Sequence, residues 1–265
     1  MADRYYVVEG DIRVYYAPEL DGGGTSFGQM LVPVLRRLGL GGSCYEPFSG
    51  PAFIGFSLLG AGICDELVVS DVNPRAINYV KLTTEFNGLS DRVRYYVSNL
   101  LENIPSDLRF DLVIANPPHF RDLSFRKYGC DDTKILLTMD KDFALHRAFY
   151  HGIVDYLRPG GSVVFVENSE ASSPEDFKKM ITESGLRFRG AFKPISDDAI
   201  YAIKILINNS VYRPPISNGI GRLRRLAALT ILKSPNTLLK HVPLPSIKQA
   251  IRGMQKYYFI WSSKD

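Results

Sequence analysis

A chain of 265 residues that is 45% apolar and 23% charged can build one large domain, or one domain with an appendage. No apolar run is long enough to cross a bilayer, and no basic segment followed by an apolar core opens the chain, so a membrane span and a secretory leader are not expected and the cytoplasm is. The net charge of +4 is uneven: residues 211–265 hold ten of the 32 Lys and Arg but one of the 28 acids, Asp265. A basic end on a mildly acidic body suits RNA, an anionic surface or an acidic partner.

Residues 5–8 and 12–16 are β-rich and flank Glu9-Gly10-Asp11, which predicts a hairpin. Three glycines at 22–24 precede Thr25-Ser26 and a helical pattern to about Leu38. This stretch is read either as a cover over a cofactor or as a linker with an ordinary cap. A strand ending near Glu46 runs into a turn, and a helix begins at about Phe53. The next strand, 67–71, ends on Asp71 before Asn73-Pro74 opens a helix to about Asn87. An acid at such a strand tip can hydrogen-bond the ribose hydroxyls of an adenosine-containing cofactor, S-adenosylmethionine and NAD alike, or cap the helix that follows.

A third strand, 93–98, ends at Asn99 and Leu100. The fourth, from Phe110, stops at Asn116-Pro117-Pro118-His119-Phe120, because proline has no N–H for the ladder and fixes its own φ. Residues 121–138 are expected to form a loop or short helix over the substrate. A helix from about 140 to 157 puts Asp142 and His146 four residues apart on one face. They would form a polar wall of the substrate pocket, or else a solvated helix start with a packed histidine; two such residues are too few for a metal site.

The fifth strand, 162–167, carries Glu167 at its tip. A helix starts at Pro174, and segments 187–194 and 201–207 are read as a closing hairpin. In the tail, helical spacing over 220–231 and 246–256 and the aromatic run 257–261 suggest docking on the parent domain, on a twin subunit or on an anionic surface. Cys44, Cys64 and Cys130 are an odd set without metal-ligand or redox spacing, expected to be three separate thiols in a reducing compartment.

The Asn116 side chain and the adjacent backbone carbonyl offer two acceptors on a stiff frame at the ligand-binding edge of the sheet. That arrangement can hold both hydrogens of an NH2 group and aim its lone pair. The tetrad Asn116-Pro117-Pro118-His119, set after Asp71 and Asn99, resembles that of class I S-adenosylmethionine-dependent methyltransferases acting on exocyclic or amide nitrogen. Release-factor glutamine methyltransferases, small-domain methyltransferases and adenine-N6 and guanine-N2 methyltransferases are among them.

The resemblance implies a Rossmann-like α/β fold with a seven-stranded doubly wound sheet, an N-terminal β-hairpin and a basic C-terminal extension. The boundaries drawn are 1–40 for the hairpin and cover helix, 41–208 for the methyltransferase domain and 209–265 for the extension. It implies that Asn116 and Pro117 hold the target nitrogen while His119, in a place usually held by Tyr, Phe or Trp, stacks on it with Phe120. On the cofactor side it implies Glu46 and Gly50 in the first motif, where Phe48 and Ala52 replace common glycines. Asp71 falls on the ribose, Asn99 on the adenine amino group and Leu100 in the adenine pocket. Asp142, His146 and Glu167 are the remaining candidates for substrate contact. The expected activity is methyl transfer from S-adenosyl-L-methionine to a planar amide- or amine-type nitrogen of an amino-acid-like metabolite or a protein side chain. The alternatives are an RNA nucleobase as acceptor, through the basic tail, and a non-catalytic cofactor-binding scaffold.

Overall fold

The computed structural model describes residues 4–20, 27–122, 135–193 and 256–265. In chain order the described elements are β1 (Arg4–Val7), β2 (Arg13–Tyr16), α1 (Phe27–Leu38), β3 (Gly42–Glu46), α2 (Phe53–Gly60), β4 (Cys64–Asp71), α3 (Pro74–Phe86) and β5 (Val93–Val97). They continue with β6 (Phe110–Ala115), α4 (Ile135–Thr138), α5 (Ala144–Ile153), β7 (Leu157–Asn168), α6 (Pro174–Glu183), β8 (Arg187–Phe192) and β9 (Tyr257–Ser263).

Seven strands form one sheet in the spatial order β5-β4-β3-β6-β7-β9-β8. The first five are parallel, and β9 runs antiparallel to both neighbours. Strand order reverses between β3 and β6, so their carboxyl ends open a crevice, the usual ligand position in such sheets. Alternation along the strands feeds two cores. Cys44, Leu67, Val69, Leu112 and Ile114 face the layer of α1, α2 and the hairpin; Tyr45, Val68, Val113, Val163 and Phe165 face α5 and α6. A fully buried side chain of this size contributes about 1.5–3 kcal/mol, so the two apolar faces dominate the stability of the sheet.

The hairpin of β1 and β2 is confirmed, and it packs on the first layer. Gly10, at φ 68°, lies so close to α2 that a Cβ there would sit 2.7 Å from the Gly60 carbonyl oxygen. Strand β2 is tied to α3, with Tyr15 N donating to Thr83 Oγ1 at 2.9 Å and Arg13 N donating to Asn87 Oδ1 at 3.0 Å. The glycine-rich stretch 21–26 lies outside the described residues, and α1 follows it.

Two expectations are corrected. The aromatic run 257–261 is not a docking tail: it lies in β9, which pairs with both β7 and β8 and buries Tyr258, Phe259 and Ile260 between them. A strand covered on both faces shows a continuous apolar run rather than alternation, which is why Tyr257–Ser263 reads as a docking tail in the sequence. Residues 201–207, and the basic helical stretches of the tail, lie outside the described residues. The cysteines are also not three separate thiols. Cys44 on β3 and Cys64 on the neighbouring β4 are bonded sulfur to sulfur, with Cα atoms 5.7 Å apart. Twenty residues separate them, and only strand adjacency brings them together. Cys130 lies outside the described residues.

Candidate active site

A cleft of about 550 Å³ opens at the carboxyl ends of β3, β4 and β6. Its floor is the turn between β3 and α2. Phe48, Gly50 and Ala52 all have left-handed backbone there, with φ 52°, 50° and 63°. That conformation explains why glycine suits these places, and how two non-glycine residues manage is visible in the packing. Ala52 is small and fully buried, while the Phe48 ring is anchored 5.5 Å from Phe149 and 6.4 Å from Phe165. Burial of the Phe48 ring offsets a strain of about 1–3 kcal/mol.

Asp71 ties this turn to the next strand. Its Oδ2 accepts from Gly50 N and its Oδ1 from Asn73 N, each at 2.8 Å. Burial raises the Asp71 carboxyl above its ordinary value, and the two backbone donors oppose that. Asn73 caps α3, accepting from Arg75 N at 3.0 Å, so Asp71 does not serve as the cap. Glu46, only 2% exposed, accepts from Gly55 N at 2.7 Å. Burial pushes its carboxyl up to about 8, against hydrogen bonds from the backbone of Gly55 and Ile54. Gly55 has no room for a side chain: a Cβ would sit 2.6 Å from Glu46 Oε2.

At the far end of the cleft, Leu100 also takes a left-handed backbone, φ 49°, and Asn99 Nδ2 donates to Glu102 Oε1 at 2.8 Å. At the mouth, Arg75 and Glu19 pair at 2.8 Å, both more than half exposed, so the pair adds little stability.

Asn116 and Pro118 line the opposite wall with Leu137 and Leu145. The backbone beyond them is pinned. His119 N and Phe120 N both donate to the Thr138 carbonyl, at 3.0 and 2.8 Å, and Asp140 N donates to the Phe120 carbonyl at 2.8 Å. Segment 135–140 is therefore strapped along the Asn-Pro-Pro stretch.

From the strap a buried polar chain runs between the elements. Asp140 Oδ2 accepts from His146 Nδ1 at 2.6 Å, His146 Nε2 meets Glu167 Oε1 at 2.9 Å, and Glu167 Oε2 lies 3.4 Å from His119 Nδ1. Burial by itself would lower His146, but the Glu167 and Asp140 carboxyls outweigh it and hold the imidazole up at about 9. Glu167 is lowered: burial works against ionisation, and His146 and His119 overcome it.

Glu46, Gly50, Asp71, Asn99, Leu100 and Asn116 thus meet in one cleft, as the sequence suggests. His119, His146 and Glu167 come together as a buried chain, while Pro117 and Phe120 are buried beside the wall. Asp142 does not join them. It is exposed in a one-turn 3-10 segment with φ 53°, its carbonyl accepting from Arg147 Nη2 at 2.8 Å. The left-handed residues Asp142 and Phe143 break the helical spacing on which the Asp142–His146 pairing rested. The residue that sequence reasoning missed is Asp140, six positions before His146. It caps α5 by accepting from Leu145 N at 2.8 Å and His146 N at 3.1 Å, and Asp at a helix start was the available signal. Among the described residues there is no cluster able to hold a metal ion, and no helix is long and apolar enough to cross a membrane.

Comparison with known proteins agrees with this architecture. Residues 11–130 match the family model described as the methyltransferase small domain. The chain is 30% identical to the release factor glutamine methyltransferase of Clostridium acetobutylicum over 134 residues, 47% of this chain and 46% of the relative. It is 31% identical to the ribosomal protein L11 methyltransferase of a Geobacter species over 130 residues, 43% of this chain and 39% of the relative. The chain thus spans less than half the length of either relative in these matches. In fold, it superposes on an S-adenosylmethionine-dependent methyltransferase from Clostridium acetobutylicum with a TM-score of 0.50. That match has 10% identity and covers 90% of this chain and 91% of the other. Over residues 11–130 this chain is therefore similar to the methyltransferase small domain, and both of these relatives in sequence are named as methyltransferases of proteins.

Proposed function

We propose that the protein transfers a methyl group from S-adenosyl-L-methionine to a planar, amide- or amine-type nitrogen on a protein side chain or an amino-acid-like metabolite. The observation that carries this reading is that Asn116 and Asp71 line the same cleft, so an acceptor-holding group and a ribose-binding acid address one space.

The cleft suits the cofactor on its own chemistry. Asp71 offers a carboxylate already oriented by two backbone donors, for the ribose hydroxyls. Asn99 and Leu100 supply a polar group and an apolar wall for the base. Glu46 and the left-handed turn at Phe48, Gly50 and Ala52 bring backbone close to the amino-acid end. When bound, the cofactor supplies an electrophilic methyl group on a positively charged sulfur.

The chain's own contribution is placement. Asn116 Oδ1 and the Pro117 carbonyl accept the hydrogens of the target NH2 group and leave its lone pair free to point into the cleft. Leu100, Leu137 and Leu145 keep water from the space between the two partners. The two curated relatives carry names that specify protein substrates, a release factor and a ribosomal protein, which favours a protein nitrogen here.

The test is labelled-methyl transfer by the wild type and Asn116→Ala to glutamine- and lysine-containing peptides, free amino acids and RNA. Asn116→Ala is expected to lose about 100-fold in turnover on the acceptor that works, as removal of one positioning group does, with cofactor binding little changed. Equal turnover by the variant would remove Asn116 from the mechanism. Transfer to RNA alone would shift the acceptor to a nucleobase.

A further inference from the structure

Every acceptor allowed by the proposed function shares one requirement: a nitrogen that gains a methyl group must shed a proton. We propose that the buried chain Asp140–His146–Glu167–His119 makes His119 the acceptor of that proton, with Glu167, His146 and Asp140 as positioning residues behind it. This inference rests on the methyltransferase reading.

The geometry has a direction. Three of the four side chains are closed to solvent, Asp140 at 1% and His146 and Glu167 at 0%, and the chain opens only at His119, 11% exposed. His119 directly follows Pro118, which lines the cleft. Its main chain is fixed by the Thr138 carbonyl, so the ring is held from both ends. A carboxylate can only accept, so Nδ1 of His119 carries the hydrogen that points to Glu167 Oε2. The other ring nitrogen, Nε2, then keeps a bare lone pair on the side away from Glu167.

Beyond Glu167 the arrangement is asymmetric. One imidazole, His146, stands between two carboxyl groups, so this inner segment favours a positive charge arriving at its open end. The other ionisable groups facing Glu167 are the Tyr150 and Tyr258 hydroxyls, while Phe143, Phe165 and Phe177 surround the His146 ring. Next to His119 stand the Phe120 and Tyr257 rings. Among these described neighbours there is no Lys or Arg to neutralise the carboxyls, and desolvating two acids around one histidine would cost stability without a use for the charge.

The step balances. The nitrogen lone pair forms the new nitrogen–carbon bond, and the electron pair of the breaking carbon–sulfur bond stays on sulfur. On an amide or other planar nitrogen the positive charge lasts until one of its protons moves to His119 Nε2, the N–H pair remaining on nitrogen; an alkylammonium must instead give that proton to Nε2 before its lone pair can attack. Glu167 holds the resulting imidazolium until the proton leaves to water. A phenyl or indole ring at this position could stack on the target but could not take the proton.

The experiment is nitrogen-15 NMR of the full chain labelled at its four histidines, with calorimetry of S-adenosylmethionine binding on the same samples. In the wild type, His119 is expected as the Nδ1–H tautomer, and His146 with both nitrogens protonated at pH 7. Asp140→Asn touches His146 but not His119. It is expected to leave His146 neutral at pH 8 and to change the His119 tautomer ratio by about threefold or more, as coupled sites do. A purely structural role would not transmit that change. Glu167→Gln keeps the shape of the side chain and is expected to produce both changes directly. His119 found with its hydrogen on Nε2, or unresponsive while His146 changes state, overturns the relay. Wild-type protein that does not bind S-adenosylmethionine overturns the methyltransferase reading instead, whatever the histidine states, and the proton-accepting role falls with it.

Discussion

Gly55→Ala gives the sharpest reading of how the turn between β3 and α2 is built. Helix propensity alone predicts a gain, because alanine in a helix interior is worth about 1 kcal/mol more than glycine. The packing predicts the opposite sign. The new methyl would lie 2.6 Å from Glu46 Oε2 and 2.8 Å from both Leu67 methyl groups, all fully buried. Overpacking of this kind costs about 1–3 kcal/mol. Pushing Glu46 away also weakens its 2.7 Å bond from Gly55 N, worth about 1 kcal/mol or more for a buried carboxyl. We predict a net loss of about 2–3 kcal/mol, read by urea unfolding, and a fall in Tm of roughly 4–12 °C for a domain of this size. A variant at least as stable as the wild type would refute the close contact of α2 with Glu46.

Other outcomes follow from the same structure. Both Glu46 and His146 have folded pKa values raised above their unfolded values, from 4.5 to about 8 and from 6.5 to about 9, so each contributes stability that is lost as pH rises through the folded value. Glu167 is lowered and acts in the opposite sense, its contribution lost as pH falls through the folded value. Wild-type stability is therefore expected to decline from about pH 4.5 to 9, most steeply between about 6.5 and 8 where both groups contribute, and in His146→Asn the decline should keep only its Glu46 part, ending near pH 8. An unchanged slope above pH 8 in that variant would contradict the placement of His146 between two carboxyls. Phe48→Gly relieves a left-handed backbone but gives up the contacts with Phe149 and Phe165, and we predict a net loss of about 1–2 kcal/mol on thermal melting. A gain in stability would show that strain, rather than packing, dominates that position.

Much of this was legible in the sequence because the signals are local. A strand must stop at Pro117-Pro118, and an acid closing the apolar run at Asp71 marks a strand tip. The parallel order and the crevice follow once strands and helices alternate. What stayed hidden depends on contacts distant along the chain. Nothing near Tyr257–Ser263 says that these residues insert between β7 and β8, because a doubly covered strand and a docking segment share the same apolar run. Cys44 and Cys64 become partners only through strand adjacency. At the start of α5, helical spacing pointed from His146 to Asp142, but two left-handed residues shift the register and bring Asp140 to the ring instead.

Calorimetry of S-adenosylmethionine with the wild type and Asp71→Ala tests the central claim most directly. The account predicts binding by the wild type, weakened at least about tenfold in the variant, since Asp71 is the proposed ribose acceptor and also the tie to Gly50. No binding by the folded wild type, or equal binding by both proteins, would contradict the assignment of this cleft to the cofactor.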